Sequence, residues 1–195
     1  GVVLEQRNGC TFILESFSKS HEGNPRQLLR ETIAGFGQFD RIALTGRKFK
    51  DLVNLPTITE PEAVEIAAQH VTERDGIDAI VSAGGETFLM YCLNGKGEIS
   101  GVHSGNKCAS GTGEFFLQQI RRMNLDIEGA IRNARGSPPY RVSGRCSVFC
   151  KSDCTHALNR GEPIGRICAG LCEMMADKIL ELTSSKGIRR IMLIG

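Results

Sequence analysis

The feature that most constrains the fold is the order in which strand and helix signals follow one another. Hairpin signals dominate the first hundred residues, and amphipathic, helix-length segments dominate the rest before one last apolar strand. The clearest turn is Asn8-Gly9, between two β-rich segments. This order predicts an α/β fold with a mixed sheet covered by helices. The expected strands are Gly1–Glu5, Thr11–Phe17, Arg41–Thr45, Ala79–Ser82, Phe88–Leu93, Ile99–His103 and Arg189–Ile194.

The expected helices begin at N-terminal signals and continue with apolar residues spaced by three and four. Asn24-Pro25 and Thr59-Glu60-Pro61 open the two early helices. The later helices are expected at Gly113–Met123, Asp126–Ala134, Cys146–Arg160 and Pro163–Ser184. The change of character predicts a strand-rich part at residues 1–104 and a helical part at residues 105–195, together a fragment of one domain.

Composition excludes several classes of protein. Apolar residues make up 41% and charged residues 24% of the 195, as in globular domains. A net charge of +2 is too small to favour nucleic acid or acidic lipid as a partner. No apolar run approaches the ~20 residues of a membrane span, and no secretory leader is recognised. We therefore expect a cytoplasmic protein with reduced thiols, and the strand-like ends suggest a piece excised from a longer chain.

Two glycine-containing segments are candidates for anion binding. Gly84-Gly85 follows a buried strand, where backbone N–H groups could approach a phosphate, although a lone glycine pair more often forms a tight turn without a ligand. The segment Lys107–Gly113 leads into a helix whose first N–H groups are expected to be free. They could bind a phosphate or stabilise the thiolate of Cys108, and a helix entry without a ligand is the alternative. The segment is not a Walker loop.

The eight cysteines fall into three groups. Cys108 and Cys146 each stand at the start of an expected helix, where the helix dipole favours a thiolate. The spacing of four places Cys150 and Cys154 on one helix face with Cys146. The remaining cysteines are predicted to be small buried hydrophobic residues; they are Cys10, Cys92, Cys168 and Cys172.

Three motifs occur in a recognisable order, at Ser82–Phe88, Lys107–Phe115 and Arg145–Phe149, with Thr45-Gly46-Arg47 upstream. Together they resemble the BadF/BadG/BcrA/BcrD ATPase family, the activators of 2-hydroxyacyl-CoA dehydratases and of related benzoyl-CoA reductases. Within the first motif, the residues Gly85-Glu86-Thr87-Phe88 look most like the N-terminal repeat of the large CoA-substrate-specific activases. The resemblance extends from about Leu4 to Gly195.

The resemblance implies an actin/sugar-kinase/Hsp70-like ATPase fold (ribonuclease H-like), incomplete at both ends, in an enzyme of anaerobic metabolism. It implies a homodimer that shares one four-iron four-sulfur cluster, with Cys108 and Cys146 of each subunit as ligands. Cys150 and Cys154 lie one and two turns beyond Cys146, so we expect them not to be ligands, although Cys150 could still bind iron if Cys146 were lost. It also implies that the full-length protein binds ATP with Mg, and that an electron is transferred to a 2-hydroxyacyl-CoA dehydratase or related reductase. The expected nucleotide contacts are Gly84, Gly85, Gly111, Thr112 and Gly113.

Ser82 departs from the family pattern, which usually has an acidic residue before Gly-Gly, and serine cannot replace a carboxylate at magnesium-bound water. The first phosphate loop is expected upstream of Gly1 and the full adenosine loop beyond Gly195. Two alternatives to the electron-transfer ATPase therefore stay open. One is a non-catalytic dimerisation or regulatory repeat of a large activase, and the other is a sugar-kinase-like phosphotransferase without a cluster. No catalytic aspartate can be nominated for the second.

Overall fold

The structure, a computed structural model, describes residues 1–46, 53–70, 76–85, 87–105, 112–184 and 187–195. The chain divides into two compact units, Gly1–Ala63 and Val64–Gly195. The expected division between residues 104 and 105 marks a change of secondary structure and stays a prediction.

The first unit opens with an antiparallel hairpin of β1 (Val2–Arg7) and β2 (Cys10–Ser16). Asn8 and Gly9 both have positive φ, 51° and 79°, as the predicted two-residue turn requires. Every residue of β2 is exposed, so the prediction that Cys10 is buried is wrong. The strand pattern alone could not reveal that the hairpin buries neither of its faces against other described residues.

The rest of the first unit contains one helix and a short parallel pair of strands. Helix α1 (Pro25–Gly35) begins as predicted, with the Asn24 side chain accepting the N–H of Gln27. Strand β3 (Leu44–Thr45) pairs with β4 (Thr57–Ile58). The strand expected at Arg41–Thr45 is shorter than predicted, because residues 41–43 have no partner strand in the described part of the unit. Helix α2 (Glu60–Gln69) includes the boundary between the units.

The second unit is built on a mixed sheet. Its four strands are β5 (Ala79–Ala83), β6 (Phe88–Leu93), β7 (Ile99–Ser104) and β8 (Ile191–Ile194), in the order β7-β6-β5-β8 among the described residues. Strand β5 pairs antiparallel with β6 and parallel with β8. The predicted mixed sheet is confirmed. Strand β5 lies inside the sheet, and four of its five residues are buried.

In the part of it that the structure describes, the second unit contains four further helices, the last of which packs on one face of this sheet. They are α3 (Gly113–Arg122), α4 (Ile127–Ala134), α5 (Ser147–Asn159) and α6 (Ile164–Ser184). Alternate residues of β5 face opposite sides: Val81 packs near Ile179 of α6, and Ile80 packs with Ala68 of α2. A separate core joins α3, α4, α5 and α6 around Ile120, Ile167 and Leu171. Within the described residues, no helix combines the length and the apolar character needed to cross a bilayer.

Candidate functional site

The strand β5 and the helix α3 meet at the glycine pair. Gly84 and Gly85 follow β5, and the N–H of Gly84 donates to the carbonyl oxygen of Thr87 at 3.1 Å. The first two amides of α3 then donate to this turn: Gly113 N–H to Gly84 O and Glu114 N–H to Gly85 O, both at 3.0 Å. A Cβ on Gly113 would lie 3.4 Å from both the Gly84 oxygen and the Gly85 Cα. That is an ordinary van der Waals distance, so the two hydrogen bonds do not by themselves require glycine at position 113.

These contacts change one expectation about α3. The sequence predicted free N–H groups at the start of this helix, but those of Gly113 and Glu114 are already hydrogen-bonded to the turn. The next amide, of Phe115, donates to Thr112 Oγ1 at 3.4 Å in an N-cap. The prediction is wrong for these three amides, because the glycine turn and the cap use the donors that a helix start otherwise leaves unpaired.

Cys146 stands directly before α5, as the sequence predicted. It is the N-cap residue, with extended backbone angles (φ −145°, ψ 134°), and its carbonyl accepts the N–H of Cys150 at 2.9 Å. Its thiol makes no capping hydrogen bond and is half-buried. The Sγ atom is therefore not used to cap the helix. A soft thiolate ligand at a helix N-terminus suits an iron–sulfur cluster, so the donor chemistry fits the group that the resemblance implies.

Two contacts that no sequence pattern indicates hold the segment before Cys146. The carboxylate of Asp153, two turns further along α5, accepts the N–H of Ser143 at 2.8 Å. Gly144 lies close to α6, where an added Cβ would be 3.2 Å from Met174 Cγ. Both contacts position the chain that enters α5.

Arg122 is a second residue whose role the sequence did not reveal. The adjacent pair Arg121-Arg122 predicts only a solvated helix face. In the structure the Arg122 guanidinium donates to Gln119 Oε1 at 2.8 Å and to Thr155 Oγ1 of α5 at 2.6 Å. Arg122 is exposed, as a residue of such a face should be. It also connects α3 to α5, the two helices that follow the predicted cysteine ligands.

The other cysteines of α5 and α6 face the interior. Cys150 and Cys168 are 0% exposed and Cys154 is 2% exposed, and Cys150 Sγ lies 3.7 Å from Met174 Sδ. Burial raises the pKa of Cys168 to about 11, with the nearby thiols of Cys172 and Cys154 adding to the effect. A hydrogen bond from the Cys150 thiol lowers the pKa of Cys154, and the charge of Arg122 acts in the same direction. Cys168 thus behaves as the predicted buried hydrophobic residue, whereas Cys172 is only half-buried.

Several predicted site residues lie outside the described part of the chain. They are Arg47, Glu86, Lys107, Cys108, Ala109, Ser110 and Gly111. Among the residues that are described, no three His, Cys, Asp or Glu side chains lie close enough together to bind a metal ion. The structure thus brings Gly84, Gly85, Thr112 and Gly113 together. Of the two predicted cluster ligands, Cys146 lies within the described residues and Cys108 does not.

Comparisons with known proteins address the family and the fold. A family model for the BadF/BadG/BcrA/BcrD ATPase family matches residues 63–195. The 2-hydroxyisocaproyl-CoA dehydratase activator of Clostridioides difficile is 25% identical over 119 residues, which are 60% of this chain and 44% of that relative. The chain thus spans about half the length of the curated relatives it matches.

Two solved structures share the fold. The activator of the 2-hydroxyisocaproyl-CoA dehydratase from Clostridium difficile with bound ADPNP superposes with a TM-score of 0.74 at 20% identity, covering 95% of this chain and 70% of that one. The Acidaminococcus fermentans (R)-2-hydroxyglutaryl-CoA dehydratase component A gives a TM-score of 0.65 at 19% identity, covering 77% of this chain and 59% of that one. The predicted α/β fold of actin-like ATPase type is thereby confirmed. Because the family model matches well over half of its residues, this chain belongs to the BadF/BadG/BcrA/BcrD ATPase family.

Proposed function

We propose that the chain is the ATPase-fold part of a reductive activator. In this proposal two copies share one four-iron four-sulfur cluster, held by Cys108 and Cys146 of each copy, and the electron acceptor is a cytoplasmic 2-hydroxyacyl-CoA dehydratase or a related benzoyl-CoA reductase-type enzyme. ATP with Mg binds in the full-length protein. The relative described as a dehydratase activator supports the activator role.

The observation that carries the proposal is the start of α5. Cys146 occupies an N-cap position without capping the helix, and its thiol is half-buried. A cysteine at this N-cap position stabilises the helix less than serine or aspartate would. Its sulfur remains available as a ligand. The positive end of the α5 dipole also suits a negatively charged group bound at this sulfur.

Ligand number then requires a second copy of the chain. A four-iron four-sulfur cluster takes four cysteine thiolates, and each chain contributes two in this proposal. A two-fold axis between identical chains supplies the other two from the same surface of the second copy. When bound, the cluster supplies a single low-potential electron. The residues of this chain fix its position: Asp153 holds the entry to α5, and Arg122 connects α3 with α5.

Anaerobic reconstitution with iron and sulfide tests this proposal. We expect a brown dimer with about four irons per two chains, seen by ultraviolet–visible absorption, iron analysis and sedimentation velocity. The variants Cys108→Ala and Cys146→Ala should each lose the colour. A full cluster in either variant, or a colourless monomer for the wild type, would overturn the shared-cluster proposal.

A second candidate function is a regulatory repeat that dimerises but hydrolyses little ATP. It is favoured by Ser82, which offers a hydroxyl where the family usually has a carboxylate, and by the amides of Gly113 and Glu114, which are bonded to the turn. We expect this 195-residue chain to bind ATP weakly and to turn it over negligibly. Calorimetry that gives micromolar ATP affinity for the chain would contradict this candidate's premise.

A further inference from the structure

Three sulfur atoms meet in the core between α5 and α6. Cys150 Sγ lies 3.7 Å from Met174 Sδ, and the Cys150 thiol also lies within hydrogen-bonding reach of Cys154 Sγ. The side chains of Cys150, Cys154 and Met174 are 0%, 2% and 3% exposed. A buried cysteine is most often a small apolar residue, but sulfurs in contact with one another are also the donors that a soft metal ion prefers. The proposed iron–sulfur cluster uses none of the three.

A disulfide is the first alternative for two neighbouring thiols, and helix geometry disfavours it here. Residues four positions apart on a helix have Cβ atoms about 5–6 Å apart, whereas a disulfide needs about 3.5–4.5 Å. A bond between Cys150 and Cys154 would therefore distort a turn of α5. A metal ion with bonds of about 2.3 Å to sulfur instead fits between two sulfurs up to about 4.6 Å apart. The 3.7 Å between Cys150 Sγ and Met174 Sδ lies within that limit.

The donor set selects the kind of ion. Structural zinc takes four ligands, but no third Cys, His, Asp or Glu of the described residues joins Cys150 and Cys154 in a metal-binding group. Thiolate and thioether sulfurs are the soft ligands that monovalent copper prefers, and Met174 supplies a thioether. We propose that Cys150, Cys154 and Met174 form a binding site for one Cu(I) ion in the reduced protein. This site lies apart from the proposed cluster and does not depend on it.

The charges around the site suit a bound thiolate. Two thiolates and one monovalent cation leave a single negative charge in the core, and both thiol protons pass to solvent as the ion binds. The pKa of Cys154 is lowered by the hydrogen bond from Cys150 and then by the positive charge of Arg122, while burial and the Asp153 carboxylate act in the opposite direction. The Arg122 guanidinium is held on this side of α5 by its hydrogen bond to Thr155 Oγ1 at 2.6 Å. Its positive charge therefore offsets the negative charge of the occupied site.

Anaerobic titration of the reduced, iron-free chain with Cu(I), in competition with a Cu(I) chelator, tests the proposal. The background protein carries Cys108→Ala and Cys146→Ala, which remove the proposed cluster ligands as competing thiols. We expect this protein to bind one Cu(I) tightly. Cys154→Ala should weaken the binding at least about 100-fold, because loss of a residue that only supports a metal ligand already costs up to that much. Met174→Leu conserves the side-chain volume in the core and should weaken the binding about tenfold.

Cys168→Ala is the matched control, because Cys168 belongs to the same core and is also 0% exposed. It should bind Cu(I) like the background protein. Unchanged affinity in Cys154→Ala, or an equal loss in Cys168→Ala, would overturn the site. If Cys154→Ala does not fold, Met174→Leu decides, and unchanged affinity in that variant then overturns the site. Iron content separates this inference from the proposed function, since Cys154→Ala in the wild-type background should keep its iron after reconstitution.

Discussion

Helices α4 and α5 each follow a residue with extended backbone angles, but only the residue before α4 caps its helix with its side chain. The carboxylate of Asp126 caps α4 by accepting the N–H of Gly129 at 2.6 Å. Cys146 has the extended angles of an N-cap before α5, yet its thiol accepts no such bond, and sulfur is in any case a weak acceptor. Asn24 and Thr112 cap α1 and α3 in the way that Asp126 caps α4. The cysteine before α5 therefore stabilises its helix less than the capping residues before α1, α3 and α4 stabilise theirs.

The first prediction concerns the core packing that stabilises α5, which has no side-chain cap. Its buried face packs in the core that contains Leu171, which is 0% exposed. Leu171→Ala should lower the free energy of unfolding by about 3 kcal/mol, through lost apolar burial and the cavity left behind. Val148→Ala, in the exposed first turn, should change it by less than about 0.5 kcal/mol. Urea unfolding of the reduced, iron-free chain measures both. Similar losses in the two variants would show that α5 is not held mainly by its buried face.

The second prediction uses the buried thiol of Cys168. Its pKa is raised by burial from 9.0 to about 11, so the folded state keeps a proton that the unfolded state loses. Stability is therefore fully present below pH 9 and falls as the pH rises from about 9 to 11, by up to about 2 kcal/mol.

Urea unfolding at a series of pH values measures this slope. Cys168→Ala should flatten it relative to the wild type, and Cys10→Ala, which removes an exposed thiol, should leave it unchanged. An unchanged slope in Cys168→Ala would assign the titration to another group, such as Cys172, whose pKa is also raised by burial.

The third prediction exchanges the properties of the two helix starts. Asp126→Ala should destabilise the chain by about 1 kcal/mol, since it removes a cap. Cys146→Asp should stabilise the iron-free chain by a similar amount, about 1 kcal/mol, because it adds one where the backbone is already suited to it. Thermal unfolding of the iron-free proteins gives both signs, and anaerobic reconstitution gives the iron content. We expect Asp126→Ala to keep its iron and Cys146→Asp to lose it. A destabilised Cys146→Asp protein would count against an available cap site.

The smallest expected effect is in Cys150→Ala. Cys150 lies one turn beyond Cys146, about 6 Å further along the helix axis, and its side chain is directed into the core beside Met174. The iron content after reconstitution should therefore equal that of the wild type. Loss of half the iron or more would make Cys150 a ligand and would remove the distinction between the start of α5 and its buried face.

Much of the fold follows from local signals in the sequence. The Asn8-Gly9 turn, the Asn24-Pro25 start and the apolar period of α6 each act over a few residues, and each is found as predicted. The position of Cys146 at a helix start was also predictable, because Ser143-Gly144-Arg145 precedes it as a helix-breaking segment.

What could not be predicted depends on contacts between distant segments. The exposure of Cys10 depends on whether anything packs on the β1–β2 hairpin, and the strand pattern contains no such information. The bonds from Gly113 and Glu114 to the glycine turn join residues nearly thirty positions apart. Arg122 reaches Thr155 only because α3 and α5 pack together. Periodicity identifies which face of a helix is apolar, but it does not identify the partner of a polar side chain.

The two backbone hydrogen bonds between α3 and the glycine turn also have a thermodynamic consequence. A ligand that draws the turn away from the helix must supply the free energy of both bonds, on the order of 2 kcal/mol. Coupling of this kind is reciprocal: a shift of α3 by any other cause changes the affinity of the turn by the same factor, about 30-fold. Gly84 and Gly85 and the start of α3 therefore form one equilibrium, in which binding at the turn and displacement of the helix are two measures of the same free energy.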